Sequence, residues 1–432
     1  MDPPRALFTS DIRAPLCVAL QSLLTAVLIW STPKRSVIRW AALPLLLYLA
    51  ETCVNTGSKF TLQVGLWMNF TIGGYMYGLH CFNLLCLSPL DGDDIRKEMA
   101  KWRNESSTSD PLPDPTDKKP SQQDRDSESY AYKIYFTTAA LWSLRGIGTA
   151  WELRSLPTFP KGQIPSRTAF ITRQMTIILL AYCFLDVLTS QKPSPETAAT
   201  WADGKQWLWL PWNPYPVTKA DLLGRVQGTF MNWFLFGRVL MEIWYRVFSV
   251  VFVGLGISEV RQWPPVWGAY SECFTIRRYF NKFWHQCNRM HLQGLGVFFA
   301  RDVFGLPSGI LQRYATIFVV FAISGLYHTM MDVHTGIPWH KSGGLTCFLA
   351  VGLGIVLEDL FQWTWKRTAI SRGLAPTTRA WLEKSVGYLW VFLWLTIVTP
   401  IYNYPGMNRD PAKSLPFYIV PWSLVGWLQR SA

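Results

Sequence analysis

Apolar runs of roughly 20 residues recur along this chain, each about the length that crosses ~30 Å of hydrocarbon as a helix. Short charged stretches separate them. A backbone inside lipid must satisfy its own hydrogen bonds, so such runs fold as helices. The pattern predicts an all-α, polytopic integral membrane protein with about eight spans, seven to ten being compatible with it. The expected spans are Pro15–Trp30, Arg39–Val54, Leu62–Leu87, Ala169–Ser190, Arg225–Gly254, Leu311–Met331, Leu345–Trp365 and Val386–Tyr402, with a shorter apolar tail from Phe417 to Leu428. Arg225–Gly254 is long for one crossing and is expected to be tilted or broken near Gly237 or Gly254. Charged residues make up only 16% of the 432, well below a soluble domain's share.

The net charge of +13 raises nucleic acid as a partner, but no basic helix, zinc spacing or aromatic RNA-binding string accompanies it. The basic residues flank the apolar runs instead. Lys34, Arg35 and Arg39 follow the first; Arg261, Arg277, Arg278, Lys282 and Arg289 outnumber Glu259 and Glu272; and Lys366, Arg367, Arg372, Arg379 and Lys384 face only Glu383. Placing these three stretches in the cytosol, with the amino terminus outside, gives one consistent alternation. The first run lacks a small-residue cleavage site and reads as an uncleaved span. None of the eight cysteines forms a CxxC pair, and most read as small buried hydrophobes.

Three regions are expected: membrane helices over 1–90, a polar, disordered cytosolic loop over 91–131, and a catalytic membrane core over 132–432. The loop holds the Asn104-Glu105-Ser106 sequon, which this topology leaves unglycosylated. Tyr132 to Leu153 reads as an interfacial helix.

Two of the six histidines stand in unusual company. His328 closes the apolar run from Phe318, and an ionisable group at membrane depth tends to face a wet cavity or bundle interior and to be functional. The competing reading is a packing histidine. Ser324 and Asp332 share its helix face at i−4 and i+4, so Asp332 is expected to orient the imidazole and stabilise its protonated form. His285 ends the string Phe274-Thr-Ile-Arg-Arg-Tyr-Phe-Asn-Lys-Phe-Trp-His285. Cations interleaved with aromatics at a membrane surface suit a phosphorylated ligand such as coenzyme A, or form an ordinary interfacial belt. His80 reads as structural and His291 as interfacial; His334 and His340 lack the further ligands a zinc site needs.

These two segments also carry a family resemblance. Thr275 to Gln286 (TIRRYFNKFWHQ) resembles the aromatic and basic string of wax synthase-like proteins in the membrane-bound O-acyltransferase superfamily. Ile323 to His328 (ISGLYH) resembles that family's Ser-Gly-x-x-His signature, and Leu144-Arg145-Gly146-Ile147-Gly148 a string of its fungal members. Departures are Tyr279-Phe280 for the usual Phe-Trp, Asn281 where glycine is frequent, and no Glu after His328.

The resemblance implies an acyl-CoA-dependent O-acyltransferase, closest to fungal terpenoid and meroterpenoid acetyltransferases, with long-chain wax ester synthesis as the alternative. It implies His328 as general base and His285 as donor to the thioester carbonyl or orienter of the alcohol. Trp284, Gln286, Ser324 and Asp332 would support them, and Arg277, Arg278 and Lys282 would draw in the phosphates of coenzyme A. Acyl-CoA, acetyl-CoA above all, would be a co-substrate, with no permanent cofactor and no metal. The partner molecules are a lipophilic alcohol and the bilayer, and the endoplasmic reticulum is the residence implied. A multi-span transporter is the rival of another class. It predicts internal pseudo-symmetry and recurring midspan charges, and the sequence displays neither apart from isolated Glu51, Asp186, Glu242 and Glu358-Asp359.

Overall fold

The computed structural model describes residues 11–61, 74–107, 129–190, 193–408 and 419–431. Six stretches among them are helical, long and apolar enough to cross a membrane: Arg13–Ser31, Val37–Gly57, Arg167–Ser190, Ile310–His334, Trp339–Trp365 and Pro376–Met407. Five of the six coincide with expected spans within a few residues at one end or both, and the last extends well beyond its predicted start. Residues 62–73 of the expected third span lie outside the described residues. Its remainder is helical over 74–82 and closes with a π-helical turn, Asn83–Leu87.

Helix α1 (Arg13–Ser31) packs along α2 (Leu43–Phe60), and their facing sides make one of two large cores together with Tyr77, Phe82, Leu84 and Leu85. The polar stretch expected as a loop begins instead with a helix, α3 (Gly92–Ser107). The Asp91 carboxylate accepts the backbone N–H groups of Asp93 and Asp94 at 3.1 Å each, and the two aspartates in the first turn oppose the helix dipole. Ile95 and Met99, one turn apart, are buried in the first core. Ile95, Met99 and Trp102 recur at i, i+4 and i+7, a helical spacing that the surrounding charges and the low hydropathy of the stretch conceal. Residues 108–128 lie outside the described residues. Helix α4 (Tyr130–Trp142) follows, tied to α1 by the Trp30 indole N–H donating to Thr137 Oγ1 at 2.8 Å.

Helix α5 (Arg167–Ser190) packs on the segment expected to be broken near Gly237. That segment comprises α6 (Lys219–Thr229), a π-helical stretch Phe230–Phe236, and α7 (Gly237–Gly254). The charges of α7 are partnered within the bundle. Glu242 pairs with Arg238 and Arg246, and Arg246 also donates to Gln174 on α5. Pairing of this kind offsets the cost of holding charge among apolar helices.

The second core gathers Trp233, Trp267, Tyr279, Phe283, Phe348, Val351 and Leu395. Helix α8 (Arg289–Val297) packs on α9 (Ile310–His334), α9 on α10 (Gly344–Trp365), and α10 on α11 (Pro376–Met407). The α9–α10 crossing is set by glycines. A Cβ at Gly325 would sit 2.8 Å from Leu345 Cα, and one at Gly344 would sit 2.7 Å from the Thr329 nitrogen. Small residues let membrane helices approach to backbone contact. This contact fixes the segment of α9 that carries His328.

Candidate active site

His328 is held by its own helix. Its Nδ1 lies 2.7 Å from the Ser324 carbonyl oxygen. A carbonyl only accepts, so Nδ1 carries the proton and Nε2 presents a lone pair. The ring stacks on Phe348 of α10 (centroids 4.3 Å, 28° between planes) and meets Tyr402 of α11 edge-on (5.3 Å, 87°). Three helices therefore fix one imidazole.

Asp332 does not orient that ring. Its Oδ2 accepts from the Ser342 hydroxyl at 2.6 Å, and Ser342 Oγ in turn accepts the Gly344 N–H at 3.2 Å. The carboxylate ties the end of α9 to the start of α10. The i+4 spacing placed it on the right face of the helix, but an i−4 carbonyl is nearer and needs no second side chain. Ser324 does orient the His328 ring, through its backbone rather than its hydroxyl.

His285 lies on the loop after a short helical segment that begins at Ile276 and ends in a π-turn, Tyr279–Phe283. The turn closes with the Trp284 N–H on the Tyr279 carbonyl at 2.7 Å. Gln286, fully buried, donates its amide to the carbonyls of Trp284 (2.6 Å) and Phe280 (3.1 Å), which pins the loop. Trp284 and Trp267 flank the imidazole, with centroids 5.6 and 5.8 Å away. His285 Nδ1 is buried without a protein partner. Burial drives the pKa of this ring down to about 3, helped by the Arg145 charge and by any proton taken up by His328. Burial is the largest cause, and it keeps His285 neutral.

Arg145 was legible only as part of a short string. In the structure its guanidinium is 4% exposed, and its partners are neutral: the carbonyls of Pro264 (3.0 Å) and Pro265 (2.8 Å) and the Tyr245 hydroxyl (2.7 Å). A buried arginine among neutral acceptors projects positive potential on its surroundings. His285 is among the groups that feel it.

The three expected phosphate-binding cations lie within the Thr275–Phe283 segment. Arg277 pairs with Asp359, which also takes Arg313 (3.1 Å) and the Tyr314 hydroxyl (2.9 Å). Arg278 and Lys282 share Glu272. Each carboxylate thus serves two cations, and one positive charge per cluster is left over. Lys384 adds another beside Phe274.

Residues 263–350 match the family described as membrane bound O-acyl transferase, and both histidines fall inside the match. The chain is 32% identical to the acetyltransferase pyr8 of Aspergillus fumigatus over 93% of its own length and 88% of that protein's. It belongs to the membrane-bound O-acyltransferase family. This acyltransferase is also 40% identical to the acetyltransferase ataH of Aspergillus terreus, over 63% of its own length and 90% of that protein's. With the acetyltransferase atnC of an Arthrinium species it shares 29% identity, over 98% and 97% of the two chains. No solved structure matches it. The match places an acyl-CoA donor and an alcohol acceptor at this enzyme.

Proposed function

We propose that this enzyme transfers an acetyl group from acetyl-CoA to a hydroxyl of a lipophilic, terpenoid-like alcohol, with His328 as general base and His285 at the thioester. The observation that carries the reading is the Nδ1–Ser324 hydrogen bond, which leaves Nε2 of His328 free to accept a proton. An alcohol is far too weak an acid to attack a thioester unaided, so a base within hydrogen-bond reach of its O–H is required.

Nε2 takes the hydroxyl proton as the alcohol oxygen bonds to the thioester carbon. The resulting tetrahedral centre expels the coenzyme A sulfur, and the proton held on His328 passes to that sulfur. Neutral His285 donates a hydrogen bond to the carbonyl oxygen as charge gathers there. The surplus cations around Glu272 and Asp359 suit the phosphates of coenzyme A arriving from the cytosol, and the alcohol enters from the bilayer. The acetyl donor and the lipophilic acceptor rest on the relatives' names and the apolar surroundings, in a membrane of the endoplasmic reticulum.

The test is thiol release by purified protein given acetyl-CoA or palmitoyl-CoA with a panel of terpenoid alcohols. Acetyl-CoA is expected to be the better donor, and His328→Ala to lower kcat by roughly 10²–10⁴, the usual share of a general base, with normal expression and membrane insertion. Full activity of that variant, or a preference for palmitoyl-CoA, would reject the corresponding part of the reading.

A further inference from the structure

A second polar cluster lies between α1, the helical residues 74–87 and α8, away from His285 in sequence but against the same helix that carries His328. Gln21, His80, Asn83 and His291 are each no more than 1% exposed. Both amide atoms of Gln21 and Asn83 and both ring nitrogens of His80 and His291 find no hydrogen-bond partner among the described residues, eight atoms in all. The two imidazoles face edge to plane with centroids 6.1 Å apart. The Leu141 backbone lies beside the His80 ring and makes at most a weak hydrogen bond to it. Nearby polar groups are satisfied: Ser22 donates to the Tyr77 hydroxyl at 2.8 Å, and Thr25 to the Gln21 carbonyl at 2.8 Å.

Each buried donor or acceptor left unmade costs on the order of 1–3 kcal/mol, and within a membrane bundle no bulk water relieves it. Eight in one place call for a partner, since polar groups this deep are ordinarily satisfied. Their chemistry defines what they recognise. Amides and neutral imidazoles offer donors and acceptors together and no formal charge, which matches hydroxyl, carbonyl or ether oxygen and excludes phosphate.

The position is also informative. Leu295 of α8 belongs to the surrounding apolar core, and Met290 and Ile323 pack against it. Ile323 precedes His328 by five residues, about 7.5 Å along α9. The cluster therefore borders the apolar core against which the His328-bearing helix also packs.

We infer that Gln21, His80, Asn83 and His291 form a subsite for neutral oxygen functions of the acceptor remote from the hydroxyl that is acylated. This rests on the proposed function above. The experiment compares farnesol with 12-hydroxyfarnesol, using acetyl-CoA, in the wild type and in Asn83→Leu and His80→Phe. For the wild type a lower KM is expected for the diol. In the variants the diol's advantage should vanish, its KM rising about tenfold while the farnesol and acetyl-CoA constants stay within twofold. An equal loss on both alcohols would assign the cluster to structure alone. An unchanged diol preference would assign it to buried water. Either result overturns the inference while leaving the acetyl-transfer reading intact, whereas a wild type that acetylates no member of the alcohol panel overturns both.

Discussion

His285 shows how an environment selects one protonation state. Its pKa is depressed, so the folded protein keeps it neutral while the unfolded chain, with an ordinary value near 6.5, takes up a proton as the pH falls. The stability it contributes is complete above about pH 6.5 and drains away as the pH drops toward about 3. Detergent-solubilised enzyme is therefore expected to lose about 1.4 kcal/mol per pH unit below 6 from this group alone, seen as a falling thermal midpoint. His285→Asn, which cannot titrate, should flatten that slope, and an unaltered slope would place the acid sensitivity elsewhere. Both histidines were legible as candidates because an ionisable ring after an apolar run, or inside a basic aromatic string, is conspicuous in sequence. Their surroundings were not. Asp332 shares a face with His328, yet its oxygen goes to Ser342, and no linear rule chooses between an i+4 carboxylate and an i−4 carbonyl. Phe348 and Tyr402 reach the ring from helices that the sequence cannot align, in a chain with 65 aromatic residues that offer no discrimination.

At the level of elements, the close crossing of α9 and α10 is the part of the architecture most exposed to a single change. Leu345 Cα is backbone and cannot rotate away from a side chain at Gly325. Gly325→Ala should cost on the order of 1–3 kcal/mol by overpacking, and Gly325→Leu more, with activity lost before the fold because His328 lies three residues on. Thermal aggregation in detergent alongside kcat checks this; normal kinetics in Gly325→Leu would show that the crossing is looser than described. The long apolar elements were readable from hydropathy alone. Helix α3 was not, since its membership of the core rests on Ile95 and Met99 among charges. The broken helix was half legible: Gly237 marked the place, but the π-turn before it, where Asn232 O approaches to 2.4 Å of where a Gly237 Cβ would sit, has no sequence signature.

Across the whole molecule, charge is separated by depth. The surplus cations collect around Glu272 and Asp359, whereas the buried cluster near His291 is neutral and Arg145 stands as a lone guanidinium among neutral acceptors. Arg278→Gln or Lys282→Gln is expected to raise KM for acetyl-CoA about fivefold, the worth of one partly exposed charge contact of about 1 kcal/mol, with KM for the alcohol unchanged. Raising ionic strength should do the same to the wild type. A rise confined to the alcohol would reverse the assignment of the two approaches.

Helix α11 joins these regions in one piece. Near its start Lys384 sits over Phe274, and the Tyr388 hydroxyl donates to the Ser271 carbonyl at 2.9 Å. Tyr402, about 27 Å further along at 1.5 Å per residue, leans on His328. Pro400 lies just before Tyr402 and removes the backbone bond to the Thr396 carbonyl. The rod is thus stiff where it braces the basic rim and jointed where it reaches His328. The aromatic wall beside the imidazole can flex to admit a bulky ring system while the rim where coenzyme A would dock keeps its shape.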